Sequence, residues 1–132
     1  AREGNMKRFI KIVTDILLVI VLVIAAVLYI PRLMGLKTYK VLSGSMEPEY
    51  HVGSVVYVEK SSIDDIEVGD VITFYINDNT VVTHRVIDKD DDTESFRTKG
   101  DANEIEDGGS VAYDKVVGKV VLNVPYLGYI LR

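Results

Sequence analysis

The sequence predicts one N-terminal transmembrane α-helix followed by a mostly antiparallel β-domain. One observation is a long apolar run at residues 9–30, which has no charged or strongly polar residue from Ile16 to Ile30 and is preceded by a short basic tail at residues 1–8. A second is a series of short β-branched and aromatic runs between residues 37 and 124, separated by Gly, Asn and Asp turns. A third is the length of 132 residues, which suits one domain with a modest core. The β-domain is expected to occupy residues 31–132.

The apolar run is long enough to cross a membrane. As a helix, residues 9–30 would span roughly 33 Å, against about 30 Å for the hydrocarbon core of a bilayer. Pro31 is expected to end this helix. Because Lys7 and Arg8 precede the run, the positive-inside rule places the N-terminus in the cytoplasm. Everything after Arg32 is then expected on the extracytoplasmic side of the cell membrane.

Two other interpretations of the apolar run compete with a permanent anchor. A helix packed in a soluble domain would show a polar face, and this run has none. A cleaved signal peptide shares the order of a basic tail and then an apolar core. However, the run is long for such a core, and Ile30-Pro31-Arg32 makes a poor cleavage site. The sequence therefore favours an uncleaved signal-anchor in the cell membrane.

The β-domain is predicted from runs of Val, Ile, Thr, Tyr and Phe. Strands are expected at residues 37–42, 54–59, 71–76, 81–87 and 95–98, with one or two more within 110–124. Asn77-Asp78-Asn79 is turn chemistry, so the strands on either side of it should form a hairpin. Residues 88–93 are expected to form an acidic loop.

The end of the chain, residues 124–132, is apolar and aromatic. Three interpretations fit this composition. The segment could lie at a membrane interface, lead into a second membrane helix, or form a last strand that packs on the core.

Charge is distributed unevenly along the chain, whose formal net charge is −5. Residues 1–36 hold five basic and two acidic side chains, whereas residues 37–132 hold ten basic and eighteen acidic ones. The main domain is thus acidic and carries no basic stripe, so no nucleic acid partner is expected. The basic end adjoins the apolar run, which is a pattern typical of membrane proteins.

The sequence contains no pattern of ligand residues for a metal ion or cofactor, and none is expected. There is no cysteine, which excludes disulfides, thiol nucleophiles and thiolate zinc sites. Asp88, Asp90 and Asp92 occupy the first three ligand positions of a calcium loop, but Thr93 stands where Gly is needed and Lys99 where Glu is needed. Two histidines with scattered carboxylates do not make a zinc site.

The stretch LSGSMEP at residues 42–48 is the strongest candidate for chemistry. Ser, Gly and Pro are ordinary turn residues, but such a turn can also present the Ser45 hydroxyl as a nucleophile. As a base, His84 lies inside a predicted strand that gives its imidazole a fixed direction, while His51 lies in a looser stretch. Lys60 and Lys99 are weaker candidates because neither has an obviously apolar setting that would lower its pKa.

A carboxylate is needed to orient a histidine base. Asp101 and Asp107 both lie in an irregular region where local packing does not dictate an aspartate. Each is by itself a common turn residue. The residues alone leave both candidates open.

Four blocks of the sequence, in order, resemble the type I signal peptidases, in particular their endoplasmic-reticulum-type branch. The blocks are SGSMEP at 43–48, VGDVI at 68–72, THRV at 83–86 and KGDAN at 99–103. The resemblance implies a signal-peptidase-like β-fold and a membrane-bound serine endopeptidase. Such an enzyme removes signal peptides from secreted preproteins after small residues at the −1 and −3 positions. Its implied partners are those preproteins and the lipid bilayer.

The resemblance also implies roles for individual residues. Ser45 corresponds to the nucleophile, and His84 to the base that replaces the lysine of the usual bacterial enzymes. The oxyanion is expected to be held by the Ser45 backbone N–H and the Ser43 hydroxyl. By position, Asp107 looks like the third catalytic residue and Asp101 like a second required carboxylate, and the reverse assignment stays open.

The same resemblance places one further residue. It implies that Met46 lies on an apolar surface that rests on the bilayer.

Two functions of other classes compete with a signal peptidase. A self-cleaving regulator with a Ser–Lys pair has a related β-domain, but its N-terminal domain binds DNA, whereas this chain begins with an apolar helix and is acidic overall. A non-enzymatic, membrane-tethered β-module would use Ser45, His84 and Asp107 only as turn and core residues. The distance between the Ser45 hydroxyl and the His84 imidazole discriminates this interpretation from an enzyme.

Overall fold

The computed structural model describes residues 2–129. After Gly35 the chain divides into a helical N-terminal unit and a β-unit that begins at Leu36. The predicted fold class, one apolar helix before an antiparallel β-domain, is confirmed.

The N-terminal unit is a single helix, α1, which runs from Arg2 to Leu33. Its length and its mean hydropathy of 2.9 over the most apolar window are sufficient to cross a membrane. The expected end at Pro31 is wrong, because this residue lies inside the last turn. There the Met34 N–H still donates to the Ile30 carbonyl at 3.0 Å. The helix ends instead before Gly35, whose φ of +81° is the left-handed conformation common just after a helix.

The β-unit is one seven-stranded antiparallel sheet with the strand order β1-β2-β7-β3-β4-β5-β6. The strands are β1 (Lys37–Lys40), β2 (Val55–Glu59), β3 (Val71–Asn77), β4 (Thr80–Asp90), β5 (Ser95–Lys99), β6 (Val111–Ala112) and β7 (Val116–Val124). The other six strands stand in chain order, and β7 lies between β2 and β3, so the last long strand joins the two halves of the sheet.

The predicted hairpin is formed by β3 and β4. The Asn77 side-chain oxygen accepts the Asn79 N–H at 2.9 Å and so closes the turn. β4 continues to Asp90, which pairs with Ser95, so the acidic loop expected at residues 88–93 is shorter than predicted. Pairing with β5 extends the strand because each further residue gains cross-strand hydrogen bonds. The Asp90 carboxylate then accepts the Asp92 N–H at 2.9 Å in the turn.

The core of the β-unit shows which side chains of β3 and β4 point inward. Its buried cluster consists of Ile66, Ile72, Phe74, Val86, Phe96 and Val111. Side chains alternate between the faces of a strand, so Ile72 and Phe74 share the core face of β3. In the register of the hairpin, Ile72 lies opposite His84. His84 therefore also points to the core face, and only 8 % of its surface is exposed.

The C-terminal strand β7 ends at Val124 and is followed by a 3₁₀ turn at Leu127–Tyr129. The Gly128 N–H donates to the Gly53 carbonyl at 2.8 Å, which ties this turn to the segment before β2. One interpretation of residues 124–132 was a last strand that packs on the core. In the structure the last strand ends at Val124, and no strand follows it within the described residues up to Tyr129. Residues 130–132 lie outside the described part of the chain, so a second membrane helix there stays a prediction.

Candidate active site

The serine turn at residues 43–48 is anchored through its methionine. Gly44–Met46 form one 3₁₀ turn after an extended Ser43. Met46 is 2 % exposed, and its sulfur accepts the Asp101 N–H at 3.3 Å. The implied position of Met46 on a surface is therefore wrong, because the side chain is buried within the β-unit. Burial of Met46 fixes the orientation of Ser45 beside it.

The base candidate His84 is held on β4 and reaches the serine. Its Nε2 lies 3.1 Å from the Ser45 Oγ. The ring packs edge-on against Phe74, with centroids 6.4 Å apart and an interplanar angle of 72°. The regular strand and the contact with Phe74 leave the imidazole little rotational freedom. The fold therefore defines the contact between His84 and Ser45.

The carboxylate that contacts His84 belongs to Asp107. Its Oδ2 lies 2.7 Å from the His84 Nδ1. The same oxygen accepts the Thr98 hydroxyl at 2.6 Å, and the Asp107 N–H donates to the Thr98 carbonyl at 2.9 Å. Thr98 is 1 % exposed. Asp107, in an otherwise irregular loop, is thus fixed at both backbone and side chain by a buried residue of β5.

Asp101 occupies a different position. Its two carboxylate oxygens accept the Nε and Nη2 groups of Arg85, each at 2.8 Å, and the Arg85 Nη1 donates to the Gly69 carbonyl at 2.6 Å. The hydrogen bond from Arg85 holds the pKa of Asp101 below its ordinary value, and it raises the pKa of Arg85. The sequence did not decide which aspartate orients His84, and the hydrogen-bond partners now distinguish the two. Asp107 contacts His84, and Asp101 contacts Arg85.

The KGDAN block holds the backbone of the serine turn. The Ala102 N–H donates to the Ser45 carbonyl at 2.9 Å. A Cβ on Gly100 would lie 2.6 Å from that carbonyl oxygen and 3.1 Å from the Ser45 Cβ. Only a glycine lets these two segments approach so closely. Residues 99–103 therefore contribute backbone support to Ser45 as well as the Asp101 carboxylate.

Ser43 lies next to the reacting group. Its Oγ is 3.1 Å from the Ser45 Oγ. The side chain is on the exposed part of the turn, where it can turn toward a bound ligand. A hydroxyl at this place can donate to an oxygen that develops negative charge beside Ser45.

The other base candidates are engaged elsewhere. The His51 ring contacts the Glu47 carboxylate, and its side chain is 54 % exposed. Lys99 donates to the Gly100 carbonyl at 3.2 Å, and Lys60 is exposed. Of these base candidates within residues 2–129, His84 is the one that hydrogen-bonds to the Ser45 hydroxyl.

Two clefts meet at His84. The first cleft, of about 450 Å³, lies between residues 39–43 and residues 81–84 and includes Ser43 and Ser45. The second cleft, of about 490 Å³, lies between the end of β3 and residues 107–112, on the Asp107 side of the imidazole. Both volumes fall within the usual range for small-ligand sites, about 300–1,000 Å³. Val82 and His84 line both clefts.

The arrangement has the chemistry of nucleophilic acyl transfer. A serine hydroxyl contacts one imidazole nitrogen and a carboxylate contacts the other, which is the geometry that activates serine. In the part of the chain that the structure describes, no group of three or more His, Cys, Asp or Glu side chains is placed to hold a metal ion.

Sequence reasoning missed Thr98 and Arg85 as supporting residues. Arg85 lies inside the block THRV and Thr98 directly precedes the block KGDAN, but their roles depend on contacts with Asp101 and Asp107 that no local sequence pattern predicts.

Comparison with known proteins gives one family and several relatives. The family described as signal peptidase, peptidase S26, matches residues 13–93. The chain is 38 % identical to signal peptidase I W of Bacillus subtilis (strain 168), over 80 % of this chain and 63 % of that protein. It is 35 % identical to the signal peptidase complex catalytic subunit SEC11C of Homo sapiens, over 68 % and 53 %.

A fungal protein gives a similar result. The signal peptidase complex catalytic subunit SEC11 of Fusarium vanettenii is 33 % identical over 68 % of this chain and 59 % of that protein. The chain thus spans between about half and two thirds of the length of these curated relatives.

Proposed function

The chain belongs to the signal peptidase family, peptidase S26, and on this basis we propose that it is a membrane-bound serine endopeptidase that removes signal peptides from secreted preproteins. The observation that supports this proposal best is the continuous contact from Ser45 through His84 to Asp107. The family match covers Ser45 and His84 but ends before Asp107. For Asp107 the support comes from geometry.

In the proposed reaction, neutral His84 accepts the Ser45 proton at Nε2 while the Ser45 Oγ attacks the scissile carbonyl carbon. The resulting imidazolium gives this proton to the amine of the departing chain, and an ester joins Ser45 to the signal peptide. Water then attacks the ester with His84 again as the base, which releases the peptide carboxylate. The distance of 3.1 Å between Nε2 and Oγ permits the first transfer without rearrangement.

The proposed role of Asp107 is to hold the imidazole. Contact with the Asp107 carboxylate keeps the proton of neutral His84 on Nδ1, so Nε2 is free to accept the serine proton. The negative carboxylate also stabilises the imidazolium that forms. Thr98, which donates to the same oxygen, is proposed as a positioning residue.

The oxyanion is proposed to be bound by the Ser45 backbone N–H and the Ser43 hydroxyl. Donors held in place before the reaction stabilise the charge that develops on the substrate oxygen, and losing one such donor typically costs about 10²–10³ in kcat. The distance of 3.1 Å between the two serine oxygens supports this role for Ser43.

The substrate is proposed to bind as an extended chain in the first cleft. Within the described residues, positions 81–84 of β4 pair with β3 on one side only. A peptide can add to such an edge through main-chain hydrogen bonds. Small −1 and −3 side chains would then face the first cleft, whose floor includes the buried Met46.

Helix α1 is proposed to anchor the enzyme with its N-terminus in the cytoplasm and the β-unit outside. Both Lys7 and Arg8 lie before the apolar run and agree with this orientation. Confinement of enzyme and membrane-bound preprotein to one plane raises their effective concentration. The relatives named as catalytic subunits of a complex indicate that accessory subunits can accompany this family.

The proposal is tested by Ser45→Ala. Wild-type protein in detergent should cleave a preprotein at a small-x-small site, and mass spectrometry should locate the cut. Ser45→Ala should lower kcat by at least about 10⁴, because the covalent intermediate cannot form. Ser61→Ala, at another serine of the β-unit, serves as the matched control and should keep wild-type activity.

Two outcomes would contradict the proposal. Cleavage by Ser45→Ala at the wild-type rate would remove the nucleophile, and absence of cleavage by wild-type protein would favour a non-enzymatic β-module. The separation of 3.1 Å between Ser45 and His84 already lies within hydrogen-bond reach, which the β-module does not require.

A further inference from the structure

Helix α1 carries two charged side chains, Lys11 and Asp15, within its apolar run. The fifteen uncharged residues from Ile16 to Ile30 span only about 22 Å as a helix. Adding residues 31–33, the last of α1, lengthens this span to about 27 Å, still short of a hydrocarbon core of about 30 Å. Asp15 comes next on the N-terminal side, so its carboxylate lies in the hydrocarbon region when α1 spans a membrane.

A carboxylate at this depth needs a partner, because charged groups in lipid are costly unless they are paired. The side chain of Asp15 is too short to reach the membrane surface, whereas Lys11 lies one turn nearer to it and has a longer side chain. Among the ion pairs of residues 2–129, none includes Lys11 or Asp15. A base four positions before an acid is also the less favourable order for a pair within one helix. These observations point to a countercharge on another helix.

The face of α1 that carries these charges is complementary to itself. Lys11 and Asp15 are four positions apart and therefore lie on one side of the helix. When two parallel copies pack about a two-fold axis, the same patch of each copy meets the other. Lys11 of each copy then faces Asp15 of the second copy, which gives two reciprocal pairs. The axial offset of four residues is about 6 Å, within reach of the four-carbon stem of a lysine.

The rest of this face suits the same contact. After the charged pair it continues through Leu18, Leu22 and Ala25, at the alternating spacing of three and four residues that forms the seam of parallel helix pairs. Both leucines are exposed, and a small residue such as Ala25 lets two backbones approach closely. Lys7 lies one turn before Lys11, but it precedes the apolar run, where water and salt screen its repulsion.

We propose that the chain forms a parallel homodimer through α1, held within the membrane by reciprocal pairs between Lys11 and Asp15. This inference rests on the proposed placement of α1 in a membrane and not on the proposed protease activity. A helix of another protein would need an acid and a base at matching depths. A second copy of this chain supplies both by symmetry, and it is therefore the occupant that the charges favour.

Resonance energy transfer between labelled copies measures this dimer. The sequence contains no cysteine, so Gly4→Cys provides a single labelling site, at an exposed position with open space around it. The full chain is labelled with donor or acceptor, mixed in detergent micelles, and followed as the detergent-to-protein ratio rises. Helix α1 is about 48 Å long, so labels at residue 4 report parallel pairs and not antiparallel ones. We expect energy transfer that falls on dilution.

Charge exchange identifies the pair. Lys11→Asp and Asp15→Lys each place like charges opposite one another, so each alone should weaken the dimer at least about tenfold. An equal mixture of these two variants should recover dimerisation to within about threefold of wild type, because each chain then supplies the charge that the other lacks. Lys7→Asp is the matched control. It changes the same charge on the same face, outside the apolar run, and should not weaken the dimer.

Asp15→Leu removes the charge without adding a new one and should weaken the dimer about threefold or more. Flotation with phosphatidylcholine vesicles tests the membrane placement separately. Wild-type protein that does not float would refute that placement. Protein that floats but shows no energy transfer at any detergent ratio would refute the dimer. Equal transfer in wild type and Asp15→Leu, or no recovery in a mixture whose two components both float, would refute the reciprocal charge pair.

Discussion

At the residue scale, the candidate site depends on residues outside the line of contact from Ser45 through His84 to Asp107. Thr98 donates to the Asp107 oxygen that contacts His84, and Gly100 leaves room for the Ser45 backbone. In both cases a small change in volume or hydrogen bonding would move a group that takes part in the proposed reaction. Precise placement is a large part of catalysis, because misplacement by about 1 Å can cost about 10²-fold in rate.

The role of Thr98 is testable by Thr98→Val, which keeps the shape and removes the hydroxyl. Without this donor, the Asp107 carboxylate is less fixed in its contact with His84. We expect kcat to fall about tenfold, equivalent to about 1.4 kcal/mol, with little change in KM.

Thr93→Val is the control for this substitution. It removes a threonine hydroxyl that bonds to Ser95 and does not contact the candidate site. Its kcat and KM should match wild type. If Thr98→Val lowers only thermal stability and leaves both kinetic readouts unchanged, Thr98 is a structural residue and not a positioning one.

At the scale of elements, the ion pair between Arg85 and Asp101 joins β4 to the segment that follows β5. The pair is bidentate and partly buried, with side chains 32 % and 20 % exposed. Bidentate, charge-assisted pairs are among the stronger polar interactions of proteins. Through residues 100–102, this link also reaches the backbone of Ser45. One pair therefore couples the strand that carries the base candidate to the turn that carries the nucleophile candidate.

Asp101→Asn is expected to lower the free energy of unfolding by about 2 kcal/mol at pH 7. Because Arg85 lowers the pKa of folded Asp101, the stabilisation is present above the ordinary carboxyl value of about 3.9 and is lost as the pH falls through the lower folded pKa. The difference between wild type and variant should thus be constant from pH 7 to pH 5 and shrink below about pH 4.

Denaturant titrations of both proteins at several pH values measure this difference. Glu106→Gln is the comparison, because its pair with Arg97 is more exposed and should contribute at most about 1 kcal/mol. A difference between wild type and Asp101→Asn that stays unchanged down to pH 2.5 would show that the carboxylate charge is not the source of the stabilisation.

At the scale of the whole β-unit, strand β7 completes the sheet by entering between β2 and β3. It pairs with residues that precede it by 42 to 69 positions, from Phe74 with Val116 to Val55 with Val124. Closing such long loops costs entropy that the pairing must offset. β7 carries Gly118, where a Cβ would lie 2.1 Å from the Glu59 carbonyl oxygen of β2.

Gly118→Ala should therefore destabilise the whole β-unit. The added methyl group forces β2 and β7 apart, and we expect a loss of about 3 kcal/mol and a Tm lower by about 10 °C or more. Gly108→Ala places its methyl group in open space and should change stability by less than about 0.5 kcal/mol. Equal melting temperatures for the two variants in thermal denaturation would contradict this account of the β2–β7 contact.

Local sequence patterns were sufficient to predict helix α1 and the approximate positions of the strands. An apolar run without a polar face forms α1, alternating β-branched runs form strands, and Asn77 closes the hairpin that its turn chemistry predicts. The helix end was misplaced because Pro31 does not stop the helix: the Met34 N–H still bonds to the Ile30 carbonyl, and Gly35 marks the end. Motifs also pointed to Ser45 and His84 as residues of interest before any contact was known.

Contacts between distant residues were decided only by the tertiary structure. Ser45 and His84 are 39 positions apart, and His84 and Asp107 are 23 apart, so no periodicity relates them. The choice of Asp107 rather than Asp101 as the partner of His84 depends on Thr98 and Arg85, which hold the two carboxylates in separate places. The sequence by itself determined which elements form, because these depend on neighbouring residues. The tertiary structure decided which side chains meet, because that depends on how β4, β5 and β7 pair across the sheet.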